Sequence, residues 1–176
     1  MITFLNPLVF LLTINIIPFD VENPTTPPFR SLDSYFDLPG VRIVQSCNGL
    51  LLCSTHGPKG SKDAPRYYVF NPTTKQLALI PPICGGLKVH KTIRFMGLAY
   101  HQTDCPHYKV VCVHRLEPGV DLFQIQVYSS DTKKWEISCE SFCIGKPALF
   151  GHGVYWNRAV YWAPFSGRAF YFKTRC

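Results

Sequence analysis

The chain has 176 residues, of which 47% are hydrophobic and 14% aromatic, with 15 Pro, 12 Gly and a net charge of +7. This length predicts one domain, and the apolar content excludes a disordered chain or a charged tail. Many aromatic residues interrupted by Pro and Gly are typical of short strands with tight turns, which excludes a long-helix protein. The glycines follow no period of three, so a collagen-like chain is excluded as well.

The positive charge belongs to the longer part of the chain. Residues 1–40 contain four acidic residues and one Arg, whereas residues 41–176 contain 17 Lys and Arg against 7 Asp and Glu. The basic residues are scattered singly, and their densest group, 59–66, lies in a Gly- and Pro-rich turn. This pattern indicates a solvated surface, because a nucleic-acid site concentrates its basic residues on one face. We therefore predict no nucleic-acid partner.

Eight cysteines occur without any Cys-x-x-Cys pair. Cys47, Cys53 and Cys112 lie in apolar runs, where a free cysteine behaves as a small buried hydrophobe. We predict reduced thiols and a location in the cytoplasm or nucleus. The alternative is a small basic secreted or membrane-associated β protein with disulfides, which the even number of cysteines permits.

The first 40 residues differ from the rest. Met1–Phe19 carries no charge and is mostly apolar, but it lacks the basic start and cleavage site of a signal peptide. Two Asn and two Pro interrupt it, so a membrane helix of about 20 residues is not predicted. We assign residues 1–40 to an apolar N-terminal segment with a Pro-rich linker, and residues 41–176 to a β domain. Secretion or membrane anchoring through residues 1–19 is not the interpretation we favour.

From residue 41 onward, the sequence consists of short apolar runs separated by turn residues. Each of these runs has the length and composition of a strand. The predicted strands are 41–44, 50–53, 67–70, 77–80, 95–100, 108–113, 123–128, 154–156, 160–162 and 169–172. No stretch keeps a period of 3.6, so the predicted fold class is all-β.

A strand–turn–strand motif repeats along this domain. Tyr68–Leu77 (YVFNPTTKQL) aligns with Gln126–Trp135 (QVYSSDTKKW), and a weaker third copy begins at Ala169–Phe172. Each copy has an apolar strand, a turn whose Asn, Ser or Asp can bond its own backbone, and Thr-Lys before the next strand. Four strands per unit of roughly 45–58 residues are typical of propeller blades. We predict an antiparallel, kelch-like partial β-propeller of about three blades, whose unpaired strand edges favour self-association.

The same residues resemble the F-box-associated domain of plant F-box proteins, over residues 31–172. The matching elements, in order, are Ser46–Cys53, Tyr67–Gln76 with Ile80–Pro82, Asp104–Val111, Gln126–Ser130 and Gly153–Asn157. The resemblance implies a substrate-recognition (protein-binding) domain of a Skp–cullin–F-box E3 ubiquitin ligase, which acts in ubiquitin-dependent protein degradation. In this family a helical F-box binds the Skp adaptor, and the β domain captures the protein to be ubiquitinated.

The chain departs from the family pattern at both ends. Residues 1–40 contain neither an amphipathic helix nor the usual Leu-Pro opening of an F-box, and the chain is shorter than a typical member. We therefore expect a truncated member, functional or not, that contacts the Skp adaptor only if an F-box lies upstream. The target protein stays unknown, because a propeller scaffold does not fix its ligand.

One group of residues has the types and spacing of zinc ligands. Two Cys-x-His pairs, with a third His nearby, could supply tetrahedral ligands. These residues are His101, Cys105, His107, Cys112 and His114. Cys105 and His107 flank Pro106 in a predicted hairpin turn, so we interpret the group as a polar loop leading into a buried strand. We predict no metal site.

Signals of catalysis are weaker still. The sequence has no nucleophile elbow, no phosphate-binding glycine loop and no close carboxylate pair. Gly85-Gly86 and Gly151–Gly153 are interpreted as turn glycines that allow positive φ. We predict no catalytic residue, no cofactor and no intrinsic enzyme activity.

Partner-surface candidates come from the aromatic pairs near the end of the chain. In Tyr155-Trp156 and Tyr161-Trp162 the two neighbours point to opposite faces of a strand, so one of each pair fills the core. Because interfaces favour Trp, Tyr and Arg, we predict Trp156, Arg158 and Trp162 as partner-binding residues. Loops 56–66 and 116–122 are second candidates.

Overall fold

The computed structural model describes residues 15–16, 30–31, 40–55, 64–84, 89–103, 105–117, 119–138, 141–143, 150–164 and 170–173. Within these residues, the only helix is a 3-10 turn at Val89–Lys91, and every paired strand is antiparallel. The chain divides into two compact units, 1–39 and 40–176. In the first unit, β1 (Asn15–Ile16) pairs with β2 (Arg30–Ser31).

The second unit contains three sheets, which we call blades 1, 2 and 3. Blade 1 has the order β3 (Val41–Cys47), β4 (Leu50–Thr55), β5 (Arg66–Asn71) and β6 (Gln76–Ile80). Blade 2 follows with β7 (Ile93–His101), β8 (Cys105–Arg115), β9 (Leu122–Ser129) and β10 (Lys134–Ile137), and β11 (Phe142–Cys143) pairs with the start of β9. Blade 3 has β12 (Phe150–Trp156), β13 (Ala159–Pro164) and β14 (Phe170–Lys173). The predicted all-β, antiparallel partial propeller of three blades is confirmed.

The repeated turn has the same geometry in blades 1 and 2. Asn71 Oδ1 accepts hydrogen bonds from the backbone N–H groups of Thr73 and Thr74, at 3.0 and 3.2 Å. Both turns end on a lysine in the left-handed region, Lys75 with φ 57° and Lys133 with φ 55°. The Thr-Lys repeat therefore marks the position where the chain reverses into the fourth strand.

Blade 2 lies between the other two blades and packs on both. One of its faces joins blade 1 in an apolar cluster that includes Leu52 and Val69 opposite Leu98 and Val110. The opposite face joins blade 3 through Phe95, Ala99, Val111, Val113, Phe123 and Ile125, which contact Val160 and Trp162. The core therefore consists of two face-to-face seams rather than one central layer.

The first strands of the three blades, β3, β7 and β12, contact one another. Here Gln45 on β3 bonds twice to the backbone of Leu98 on β7: its Nε2 donates to the carbonyl at 3.0 Å, and its Oε1 accepts from the N–H at 2.9 Å. Asn48 Nδ2 donates to the carbonyl of Tyr100 at 2.6 Å. Side chains of blade 1 therefore satisfy the backbone edge of blade 2.

Two glycines make room for one aromatic ring where β7 meets β12. A Cβ on Gly153 would overlap the ring of Phe95, and a Cβ on Gly97 would overlap the same ring from its own strand. Phe95 in turn stacks on Trp162, with ring centroids 5.2 Å apart. The interpretation of Gly151–Gly153 as turn glycines is wrong, because these residues lie within β12. Gly85 and Gly86 lie outside the described residues.

His114 is buried in blade 2 and is held in its neutral form by its neighbours. Gln126 Nε2 donates to the Cys84 carbonyl at 3.0 Å and lies 3.0 Å from His114 Nε2. Since an amide nitrogen only donates, His114 Nε2 accepts, and Nδ1 carries the proton, 3.4 Å from the Arg115 carbonyl. Burial lowers the pKa of His114, against the smaller opposing effect of that carbonyl.

Gln45→Leu is expected to destabilise the domain by about 2–4 kcal/mol, because two buried backbone groups of Leu98 lose their partner. Gln76→Leu, which replaces an exposed Gln on β6, serves as the control and should leave stability unchanged. Urea denaturation measures both. A Gln45→Leu protein as stable as the wild type would show that this pair does not hold the blades together.

Gly153→Ala is expected to cost about 1–3 kcal/mol, since the new methyl group displaces the Phe95 ring from its stack on Trp162. Combining it with Phe95→Leu should cost less than the sum of the two single changes, because the smaller side chain vacates the space. Thermal denaturation of the four proteins gives this coupling. Strict additivity would rule out the overlap.

The wild type is expected to lose stability as the pH falls from about 7 to 5, in part because of His114. Its folded pKa lies below the ordinary value of about 6.5, so in this range the unfolded chain takes up a proton that the folded protein excludes. His114→Gln should reduce this dependence, whereas His107→Gln, at an exposed position, should keep it. The midpoints of urea denaturation, measured across this pH range for the wild type and both variants, test this expectation. Equal slopes for wild type and His114→Gln would contradict it.

Candidate protein-binding surface on blade 3

A two-residue turn sets which side chains share a face of blade 3. Asn157 and Arg158 both have positive φ, 46° and 60°, as a tight hairpin turn of type I′ requires. The register that follows pairs Trp156 with Ala159 and Val154 with Tyr161. Directly paired residues point to the same side of a sheet, so Trp156 and Tyr161 lie on one face.

The third strand extends this arrangement across the sheet. β14 places Tyr171 opposite Tyr161 and Lys173 opposite Ala159. The result is two rows of side chains on the face turned away from blade 2. We call this surface the outer face of blade 3, and it consists of Val154, Trp156, Ala159, Tyr161, Tyr171 and Lys173.

Three large side chains of the outer face are exposed, and the half-buried Tyr161 contacts two of them. Val154, Trp156 and Tyr171 are 62%, 67% and 59% exposed. The ring centroids of Trp156 and Tyr161 lie 6.0 Å apart, and those of Tyr161 and Tyr171 lie 5.6 Å apart in a stacked arrangement. The three rings therefore form a continuous aromatic ladder across three strands. An exposed apolar patch of this kind is typical of an interaction site.

The predicted partner-binding residues are distributed over both faces of the blade. Trp156 lies on the outer face and Arg158 is exposed in the adjoining turn. Trp162 is only 3% exposed and stacks on Phe95, so its ring belongs to the seam with blade 2. For Trp162 the prediction is corrected: the two-residue turn places Tyr161, not Trp162, on the face of Trp156. Tyr171 was missed, although the same alternation along β14 could have identified it.

A depression adjoins the outer face. It has a volume of about 480 Å³ and is walled by residues 44–47 of β3, by Asn48 in the turn that follows, and by residues 153–155 of β12. Val154 belongs both to the lining of the depression and to the outer face, so the two surfaces meet at this residue. A ligand on the aromatic ladder could extend towards the first strands of the blades.

The second candidate loops are described only in part. Residues 56–63 and 118 lie outside the described residues. At the ends of the other loop, Arg115 Nη2 donates to Asp121 Oδ1 at 2.8 Å, and the guanidinium lies over the Phe123 ring, 5.5 Å from its centroid. These contacts fix the base of the loop, on which the apolar side chains of Leu116 and Val120 are exposed.

The histidines and cysteines considered as zinc ligands do not converge. β7 ends at His101, which pairs with Cys105 at the start of β8, so the predicted turn at Cys105–His107 is wrong. The polar residues before Cys105 supply the turn instead, and Pro106 is tolerated near a strand end. His107 and His114 lie seven residues apart on one strand, about 23 Å, which is too far for one tetrahedral ion. Among the described residues, no group of potential ligands gathers.

Three cysteine thiols are enclosed in the sheets. Burial raises the pKa of Cys47, Cys53 and Cys112, and that of Cys53 reaches about 12. A thiol in this state is a poor nucleophile, because the thiolate is the reactive form. Cys47, Cys53, Cys84, Cys112 and Cys143 are free. No helix in the described parts of the chain is long and apolar enough to cross a membrane.

Comparison with known proteins places this arrangement in a family. Residues 3–168 match the model of the F-box associated beta propeller domain. An F-box protein of Arabidopsis thaliana is 34% identical over 139 residues, which cover 72% of this chain and 30% of that protein. The chain thus spans about a third of the length of this relative. No solved structure matches. Because the match extends over nearly the whole chain and the three blades agree with it, the chain belongs to the F-box-associated β-propeller domain family.

Proposed function

We propose that this domain is the substrate-recognition part of an F-box protein in a Skp–cullin–F-box ubiquitin ligase, and that it binds its target through the outer face of blade 3. The role in substrate recognition is supported by the family to which the chain belongs and by its similarity to an F-box protein. The observation that carries the choice of surface is the exposed ladder of Trp156, Tyr161 and Tyr171.

The chemistry of the ladder suits protein binding. Trp and Tyr present a large apolar area together with one polar atom, and they dominate interface energetics. The polar tips of Trp156, Tyr161 and Tyr171 make no hydrogen bond to another described residue. In the seam with blade 1, by contrast, Trp135 Nε1 donates to the Pro81 carbonyl at 2.8 Å. The outer face therefore retains donors and acceptors that a partner can use.

Binding rather than catalysis is the task we assign to the domain. The buried thiols of Cys47, Cys53 and Cys112 are held in their unreactive form. Ubiquitin transfer would come from other ligase subunits, acting in the cytoplasm or nucleus. Contact with the Skp adaptor would require an F-box joined to this domain.

The double substitution Trp156→Ala, Tyr171→Ala is expected to weaken target binding by at least about tenfold, since truncation of a central aromatic anchor costs about 2 kcal/mol or more. Leu79→Ala and Ile137→Ala, which remove exposed apolar side chains from blades 1 and 2, are the matched controls. Quantitative mass spectrometry of proteins captured from plant extract under proteasome inhibition compares the four baits. Purified candidates are then tested for direct binding.

The proposed binding surface is supported if some proteins are captured by the wild type and by both control variants but not by the double variant. If every bait captures the same proteins with the same affinity, blade 3 is not the recognition surface. The ligase role is tested separately by adding an F-box to the domain and following ubiquitination of a captured protein.

A further inference from the structure

We propose that the segment recognised by the outer face of blade 3 is an extended acidic one, with an aromatic or leucine anchor followed two residues later by Asp or Glu. The inference rests on the proposed function, because it names the partner chemistry of the same surface. It comes from the charge at the border of the ladder and from the spacing between Tyr171 and Lys173.

The charge at the ladder has one sign. Lys173 is exposed on the outer face, opposite Ala159 and in the same row as Trp156. The charged residues that the structure describes on blade 3 are Lys173 and Arg158, both basic. Residues 41–176 as a whole carry 17 basic and 7 acidic residues. A carboxylate beside the ladder is therefore attracted both locally and by the domain as a whole.

The spacing fits an extended peptide. Tyr171 and Lys173 are alternate residues of β14, so their side chains rise from the same face about 6.6 Å apart along the strand. An extended partner segment repeats its own side chains on one side with the same period. In a segment that runs in the direction of β14, an anchor packed on the Tyr171 ring thus places the residue two positions along beside Lys173.

The composition distinguishes this face from a permanently buried seam. On the face of blade 2 that blade 3 covers, the buried side chains are hydrocarbon: Phe95, Ala99, Val111, Val113, Phe123 and Ile125. The outer face instead has Trp, two Tyr and a Lys, the residue types of a partly wet interface. Two copies packed through this face would each bring Lys173 to the contact and, among the described residues of blade 3, no acidic side chain to pair with it. We therefore favour an acidic partner over a second copy.

Single-stranded RNA also binds surfaces with aromatic and basic residues, because bases stack on free ring faces. Here Tyr161 contacts Trp156 on one side and Tyr171 on the other, at 6.0 and 5.6 Å between centroids. Tyr161 and Tyr171 are stacked, so the two ring faces between them are not available to a base, and the 50° tilt between Trp156 and Tyr161 leaves a cleft rather than a flat platform. The arrangement therefore favours a peptide, which packs against ring edges and the cleft between rings.

The experiment selects ligands without assuming a target. Short random peptides displayed on phage are selected on the purified chain, and the best peptide is measured by fluorescence anisotropy. We expect the selected peptides to be acidic, with Phe, Trp, Tyr or Leu two residues before Asp or Glu. Lys173→Glu should weaken binding about tenfold, whereas Lys134→Glu on blade 2 should leave it within about twofold. Replacing the peptide's acidic residue by Lys should restore affinity for Lys173→Glu.

The outcomes separate this inference from the proposed function. If Trp156→Ala abolishes peptide binding while Lys173→Glu has no effect and the peptides lack an acidic bias, the surface stands and the acidic preference is wrong. If neither substitution matters, both proposals fail. A dimer in sedimentation that Trp156→Ala dissociates, or an RNA oligonucleotide that binds more tightly than the peptide and depends on Trp156, would also overturn the inference.

Discussion

The arrangement of the blades depends on the pairing of the Gln45 side chain with the backbone of Leu98. A propeller blade must end at the axis, and its first strand then presents an edge of backbone groups with no neighbouring strand. A primary amide has one donor and one acceptor side by side, so it can bond a residue's carbonyl and N–H as a strand would. Gln45 does this at 3.0 and 2.9 Å, and Asn48 adds a bond to Tyr100. Three backbone groups on the edge of blade 2 thereby find partners in blade 1, and the two blades are fixed against each other.

Once the inner edges are joined, the position of the recognition surface follows from the order of the blades. Blade 2 is covered on both faces, with Leu98 and Val110 towards blade 1 and Val111 and Phe123 towards blade 3. Blade 3 uses one face for Val160 and Trp162 and presents the other outward. Because successive side chains of β12 and β13 point to opposite faces, the aromatic residues of these strands are divided into a buried set and an exposed set. One face of these strands packs in the core, and the opposite face is the proposed binding surface.

The sequence predicts what is local and misses what depends on distant contacts. Apolar runs and the Asn-Pro-Thr-Thr-Lys turn chemistry are local, and they sufficed for the blades and for their strands except β11, a two-residue strand that the sequence did not indicate. Gly153 looked like a turn residue, because the Phe95 ring that requires its missing side chain comes from another blade. The role of Trp162 was misassigned for a different reason. The Asn157-Arg158 turn has two residues, and this length decides which residues of β13 share a face with Trp156. That signal was present in the sequence, whereas the acceptor of the Gln45 side chain was not.

The mutual contacts of the ladder also bear on how it binds. A ring already held against its neighbours loses little conformational freedom when a partner covers it, and Trp and Tyr have only two side-chain torsions to restrict. Most of the free energy gained by burying Trp156 and Tyr171 can therefore contribute to affinity. Lys173 has a different part, because an exposed charge contributes less to affinity than a buried ring, but it accelerates encounter, and a charge of the wrong sign at this position is penalised. In this division of roles the rings hold the ligand and the lysine selects it, so raising the salt concentration should slow association more than it hastens release.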